Sequence, residues 1–140
     1  MLIGEYTNTL DAKGRVIIPA AFRYDLGDRF VLAKGIEKCL NIYPENEWIA
    51  FVQKLQEAMP SSVKENRKAI RFFSANATVC ELDKQGRILI PSKLREYASL
   101  DKELLFVGGF HKVEIWNPDF YEDSEAEEIG SILEEKNIKY

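Results

Sequence analysis

Apolar and polar residues alternate with a period of two along several short stretches, the mark of strands with one buried face. In Arg15 to Ile18 this alternation puts Val16 and Ile18 on one side, Arg15 and Ile17 on the other. Further strands are predicted at Glu5 to Leu10, Arg29 to Ala33, Cys39 to Tyr43, Glu103 to Val107 and Lys112 to Trp116. Gly27-Asp28, Lys34-Gly35, Pro44, Gly108-Gly109 and Asn117-Pro118 punctuate them as turns or stops. Between the two halves the spacing changes to three and four residues. Trp48, Phe51, Val52, Leu55 and Met59 share one face of a helix that Pro60 ends, and such a stripe reads as core. Ser62 and Glu65 have the spacing of a capping box for a second helix reaching Phe73, with Lys64, Arg67, Lys68 and Arg71 on one face. A basic stripe of this kind is usually a solvated face, and it could also rim an anionic site. Asp119 to Glu135 is acidic with scattered Ile129, Ile132 and Leu133, which suits an exposed or partner-contacting helix, although Gly130 weakens it.

One stretch recurs. Asp11-Ala-Lys-Gly-Arg-Val-Ile-Ile-Pro19 returns as Asp83-Lys-Gln-Gly-Arg-Ile-Leu-Ile-Pro91, and Arg23/Arg95 continues the match. Asp-x-x-Gly is turn composition: Asp accepts from backbone N–H groups and Gly takes a positive φ. The predicted form is a hairpin tip, a type I turn closed by Gly14 or Gly86 in a G1-like bulge, with Glu5 to Leu10 paired to Arg15 to Ile18. Lys13 then sits at the tip and Arg15 opens the returning strand. Pro19 suits the first position of a short helix, Ala20 to Tyr24, whose Phe22 has its counterpart in Leu94, and Pro91 plays the same part in the second copy. The chain is thus two tandem ββαββ repeats, at 5–47 and 76–119, with helices between them and at the C-terminus. A unit of about forty residues struggles to bury enough apolar surface alone, so the two copies are expected to share a core. Eight strands in two equivalent sets can close into a barrel with a pseudo-twofold, bringing the two Arg-bearing turns into related positions.

Composition narrows the chemistry. The chain has 140 residues, two cysteines and one histidine. Cys39 and Cys80 form no Cys-x-x-Cys pair and read as buried strand residues, and His111 reads as a loop residue, so no metal is expected. No Ser-His-Asp set or phosphate loop is present, which argues against an enzyme and against a small-molecule substrate or cofactor. No apolar run is long enough for a membrane span, and the start lacks a basic region with a long apolar stretch, so a cytoplasmic protein is expected. Net charge is −4 but unevenly placed: −1 over 1–60, +5 over 61–95 and −8 over 96–140. Because salt screens fields beyond roughly 8–10 Å, a basic surface away from the acidic tail can still attract phosphate.

Arg15 and Arg87 offer guanidinium forks suited to phosphate or a guanine edge. They could equally brace their turns against Asp11 and Asp83, and the two roles are compatible. At these residues the chain resembles the MraZ family, bacterial regulators associated with the division and cell-wall gene cluster. The resemblance rests on Asp11-Ala-Lys-Gly-Arg15 with Ile18-Pro19 and its echo at Asp83 to Pro91, and it spans nearly the whole chain. It implies an α+β, mainly β fold, a swapped-hairpin AbrB-like barrel of two SpoVT/AbrB-like repeats. It also implies a ring-shaped homo-oligomer of about eight subunits, located in the cytoplasm at the nucleoid, that binds direct repeats in double-stranded promoter DNA and represses transcription. Carried over, the family's Asp-x-x-x-Arg element falls on Asp11 and Arg15 and on Asp83 and Arg87. Lys13 and Lys84 join them from their place at the turns. Gln85 stands where the first copy has Lys13, so the second tip lacks a basic residue at that position and the first is expected to be the stronger contact. The competing expectation is an oligomeric interaction scaffold with only non-specific nucleic-acid affinity.

Overall fold

A computed structural model describes residues 1–140. Eight strands and five α-helices follow one another as β1 (Glu5–Thr9), β2 (Arg15–Ile17), α1 (Ala20–Leu26), β3 (Arg29–Lys34), β4 (Leu40–Pro44), α2 (Glu45–Ala58), α3 (Lys64–Ser74), β5 (Thr78–Glu81), β6 (Arg87–Leu89), α4 (Ser92–Tyr97), β7 (Glu103–Gly108), β8 (Val113–Trp116) and α5 (Ala126–Glu135). A single 3₁₀ turn, Pro118–Phe120, precedes the tail. The ββαββ grammar therefore holds twice, in an α+β chain built mainly on strands.

Partners of the strands differ from the expected ones. β1 does not pair with β2: it lies antiparallel to β7, with Tyr6 opposite Phe106, while β2 lies antiparallel to β6, with Val16 opposite Ile88. Likewise β3 takes β5 of the other copy as well as β4. Six strands form an open sheet in the order β1-β7-β8-β4-β3-β5, and β2 with β6 forms a separate ribbon; the single closed set of eight strands expected from the sequence is not the hydrogen-bonded arrangement. Exchange between the copies has a simple cause. One copy's apolar face is too small to be covered locally, and pairing across the copies merges both faces into one core. Val16, Ile18, Phe22, Phe30, Ile42, Ile88, Ile90, Leu94, Phe106 and Ile115 meet in it, all nearly or fully excluded from solvent.

Smaller differences are local. Pro19 and Pro91 cap their helices rather than occupying the first helical position. No capping box forms at Ser62: the residue flanking α3 is Val63, and the loop is tied instead by Asn66 and Arg67, whose side chains donate to the carbonyls of Pro60 and Ser61. The apolar stripe of α2 is only half-buried and contains no fully buried residue. It packs through an aromatic chain in which Phe51 stacks on Tyr43 at 5.7 Å and meets Phe73 of α3 edge-on at 5.0 Å. Cys39 and Cys80 are buried free thiols, raised by desolvation to about 12 and about 11. No helix is long and apolar enough to cross a membrane.

Candidate nucleic-acid interface

The β2–β6 ribbon places the two Asp-x-x-Gly-Arg turns at its two ends. Each turn is closed by the bonds its composition predicts. Gly14 N–H donates to the Asp11 carbonyl at 3.1 Å and Asp11 N–H to the Arg15 carbonyl at 2.8 Å; Gly86 and Asp83 repeat these at 3.0 and 3.0 Å. Gly14 and Gly86 have φ of 83° and 77°. One carboxylate oxygen of Asp11 accepts the main-chain N–H groups of Lys13 and Arg15, both at 2.9 Å, while the other accepts Arg15 Nε at 2.9 Å. Asp83 does the same for Gln85 and Arg87, with the Nε contact at 2.8 Å. These donors, the arginine's own N–H first and its guanidinium after it, hold both carboxyls below the usual range. Each Asp is therefore ionised at neutral pH and grips its arginine through Nε, the atom least needed for a fork onto a ligand.

The ribbon also ties each turn to the other copy. Ile18 N–H donates to the Gly86 carbonyl and Ile90 N–H to the Gly14 carbonyl, at 2.9 and 2.8 Å. Arg87 also reaches to within 3.9 Å of the Asp11 carboxylate across the ribbon. Arg15 and Arg87 are half-buried, whereas Lys13, Lys84 and Gln85 are exposed at the tips. The bracing role is present in both turns, and the Arg15 and Arg87 side chains remain 34% and 24% exposed.

Two arginines not assigned to the site from sequence join it. Helix α1 buries Phe22 and Leu26, which fixes the adjacent Arg23; α4 buries Leu94 and fixes Arg95. Arg23 Nε donates to the Ile18 carbonyl and Arg95 Nε to the Ile90 carbonyl, each at 2.9 Å. Their guanidinium groups then lie over the glycine of the opposite copy's turn. A Cβ on Gly86 would stand 2.7 Å from Arg23 Cζ, and one on Gly14 would stand 2.9 Å from Arg95 Cζ. The recurrence of Arg23 as Arg95 was the available signal; its meaning depended on the cross-copy ribbon. Four guanidinium groups surround one short ribbon. Over 11–23 and 83–95 there are seven basic residues against two acidic ones, so the local field is positive in a chain of net charge −4. Forked donors along a ribbon with one face outside the core suit a polyanion's phosphates and base edges. No group of His, Cys, Asp and Glu is arranged to hold a metal ion.

Fold and ribbon together define an α+β tandem-repeat protein with one arginine-bearing turn at each end of a ribbon shared by the two copies. Residues 1–72 and 73–137 each match the MraZ family, described as "MraZ protein, putative antitoxin-like". The chain is 50% identical to the "Transcriptional regulator MraZ" of Thermoanaerobacter pseudethanolicus over 99% of its own length and all of that protein's. It is 53% identical to the protein of the same name from Desulfitobacterium hafniense, over 84% of this chain and 81% of that one. This chain belongs to the MraZ family.

Proposed function

We propose that this chain is a sequence-specific DNA-binding transcriptional regulator, a repressor of the division and cell-wall gene cluster, working in the cytoplasm at the nucleoid and not as an enzyme. It reads promoter direct repeats as a ring-shaped homo-oligomer of about eight copies. Its two SpoVT/AbrB-like repeats, 5–47 and 76–119, are of the swapped-hairpin kind, a reading supported by the exchange of strand partners between the copies. The observation that carries this reading is the ribbon with Arg15 and Arg87 held by Asp11 and Asp83. An arginine already oriented loses less entropy on meeting a base edge or phosphate. Lys13 and Lys84 fix register on the phosphates, and Arg15 and Arg87 supply base readout. Gly14 and Gly86 shape the turns, and Pro19 and Pro91 end the strands behind them. The first turn is the stronger contact, having Lys13 beside its glycine where the second has Gln85.

A single protomer neutralises few phosphates and binds weakly as salt rises. Several protomers on consecutive sites make later contacts intramolecular, with avidity gains on the order of 10²–10⁴. Regularly spaced direct repeats are what such an assembly selects. The test is fluorescence anisotropy on duplexes with evenly spaced direct repeats from the chain's own gene neighbourhood, against scrambled duplexes, at two salt concentrations. Wild type should prefer the repeats, and Arg15→Ala in an assembly of unchanged size should lose that preference. If Arg15→Ala retains it, the turn is not the reading element; if wild type has none, the interaction-scaffold reading replaces this one.

A further inference from the structure

We propose that Ile17 and Leu89 read the 5-methyl groups of thymines in the major groove of the bound DNA. The inference rests on the DNA-binding reading above and adds an apolar half to its base recognition. In the ribbon Arg15 stands opposite Leu89 and Ile17 opposite Arg87, while the pair between them, Val16 and Ile88, is buried. Arg15, Ile17, Arg87 and Leu89 therefore share the ribbon's other face. On that face the two arginines occupy one diagonal of a square and the two aliphatic side chains the other.

Folding does not account for these aliphatic residues. Ile17 is 44% exposed and Leu89 57%, whereas their chain neighbours Val16, Ile18, Ile88 and Ile90 are at most 3% exposed. A strand face left to water ordinarily carries polar residues, yet both copies place a large aliphatic residue here. The backbone beneath them is already fixed. Asn8 Nδ2 donates to the Ile17 carbonyl at 2.6 Å, and Ile18 and Ile90, next along the chain, donate to the glycine carbonyls of the opposite turns. A ligand meeting this face has no backbone to order first.

The arginines beside them decide what covers these side chains. A polyanion drawn to the guanidinium groups must bring an apolar feature to the same face. Among base edges in the major groove, thymine carries one, its 5-methyl group, and guanine offers O6 and N7 to an arginine fork. That groove admits a two-stranded β-ribbon. Residues two apart on a strand lie about 6.6–6.8 Å apart, the length of two base-pair steps at about 3.4 Å each. With the ribbon lying along the groove, Arg15 and Ile17 address bases two steps apart, and Arg87 and Leu89 do the same. An apolar contact displaces no counterions, so it adds discrimination that salt does not screen.

The test is fluorescence anisotropy of the full chain on the direct-repeat duplex and on the same duplex with every thymine of the repeats replaced by deoxyuridine, which removes the methyl and keeps the pairing. Wild type should bind the deoxyuridine duplex more weakly, on the order of fourfold for each methyl it buries. Ile17→Ser/Leu89→Ser should bind both duplexes alike, near the wild-type affinity for the deoxyuridine duplex, with the salt dependence of binding unchanged. Circular dichroism and sedimentation velocity establish that this variant is folded and assembled like wild type, and the wild-type comparison stands without any variant. Equal binding of both duplexes by a wild type that still prefers repeats to scrambled DNA overturns the methyl contact and leaves the regulator reading intact. A variant that keeps the full wild-type sensitivity to deoxyuridine overturns it too, because the methyl groups are then felt elsewhere. A folded variant whose assembly changes size assigns Ile17 and Leu89 to a contact between copies, which also overturns it. A wild type with no preference for repeats overturns both readings.

Discussion

Replacing Gly14 by Ala should cost far more than its exposed turn suggests, because two independent terms meet at that atom. At φ of 83° an L side chain is strained by on the order of 1–2 kcal/mol. The new Cβ would also stand 2.9 Å from Arg95 Cζ, so the guanidinium must move and give up the 2.9 Å bond from its Nε to the Ile90 carbonyl. A half-exposed charged hydrogen bond contributes about 1 kcal/mol, which brings the expected loss to about 2–3 kcal/mol. Arg95→Ala alone should cost about 1 kcal/mol. In the double variant the clash is gone and only the backbone term and the missing bond remain, so the two losses should fall short of additivity by about 1 kcal/mol. Urea denaturation of the four proteins, at one fixed protomer concentration because association feeds into apparent stability, gives the cycle. A Gly14→Ala loss below about 0.5 kcal/mol, or a fully additive cycle, would refute the packing of one copy's arginine on the other copy's turn.

The Asp11 and Asp83 carboxyls, lowered chiefly by the N–H groups of Arg15 and Arg87, predict a specific acid sensitivity. A depressed folded value contributes stability above the ordinary carboxylate value of about 3.9 and loses it as pH falls through the folded value. Urea midpoints should therefore drop below about pH 4 more steeply for wild type than for Asp11→Asn/Asp83→Asn, and equal slopes would contradict the assignment. Phe22, fully buried and edge-on to Tyr6 at 5.2 Å, should cost about 3–5 kcal/mol as Phe22→Ala, and a loss under about 1 kcal/mol in the same urea assay would place it outside the core.

Much of the local structure was legible because its causes are local. The Asp11 and Asp83 turns close through atoms no more than four residues apart, so Asp, Gly and Arg at fixed offsets were enough to place them. Alternation likewise located Val16 and Ile18 inside and Ile17 outside. The capping box at Ser62 failed by one residue: α3 begins at Lys64 with Val63 flanking it, which leaves Ser62 and Glu65 one position too early to reach each other's free N–H groups. For α2, periodicity identified the apolar face but not how deeply it would be covered, since that depends on what packs there; no residue of α2 is fully buried.

By itself the sequence determined the element order, the doubled turn with Asp and Arg at a spacing that allows bracing, and the uneven charge along the chain. Only the tertiary structure decided the strand partners, and with them the site. Period-two alternation states which face of a strand is buried and says nothing about its neighbour, because every apolar strand edge is an acceptable partner until the whole core is closed. Closing it across the copies set β2 on β6 and β1 on β7. That exchange carried Arg23 and Arg95 onto the glycines of the opposite turns and gathered four guanidinium groups around one ribbon, an arrangement neither copy could form alone.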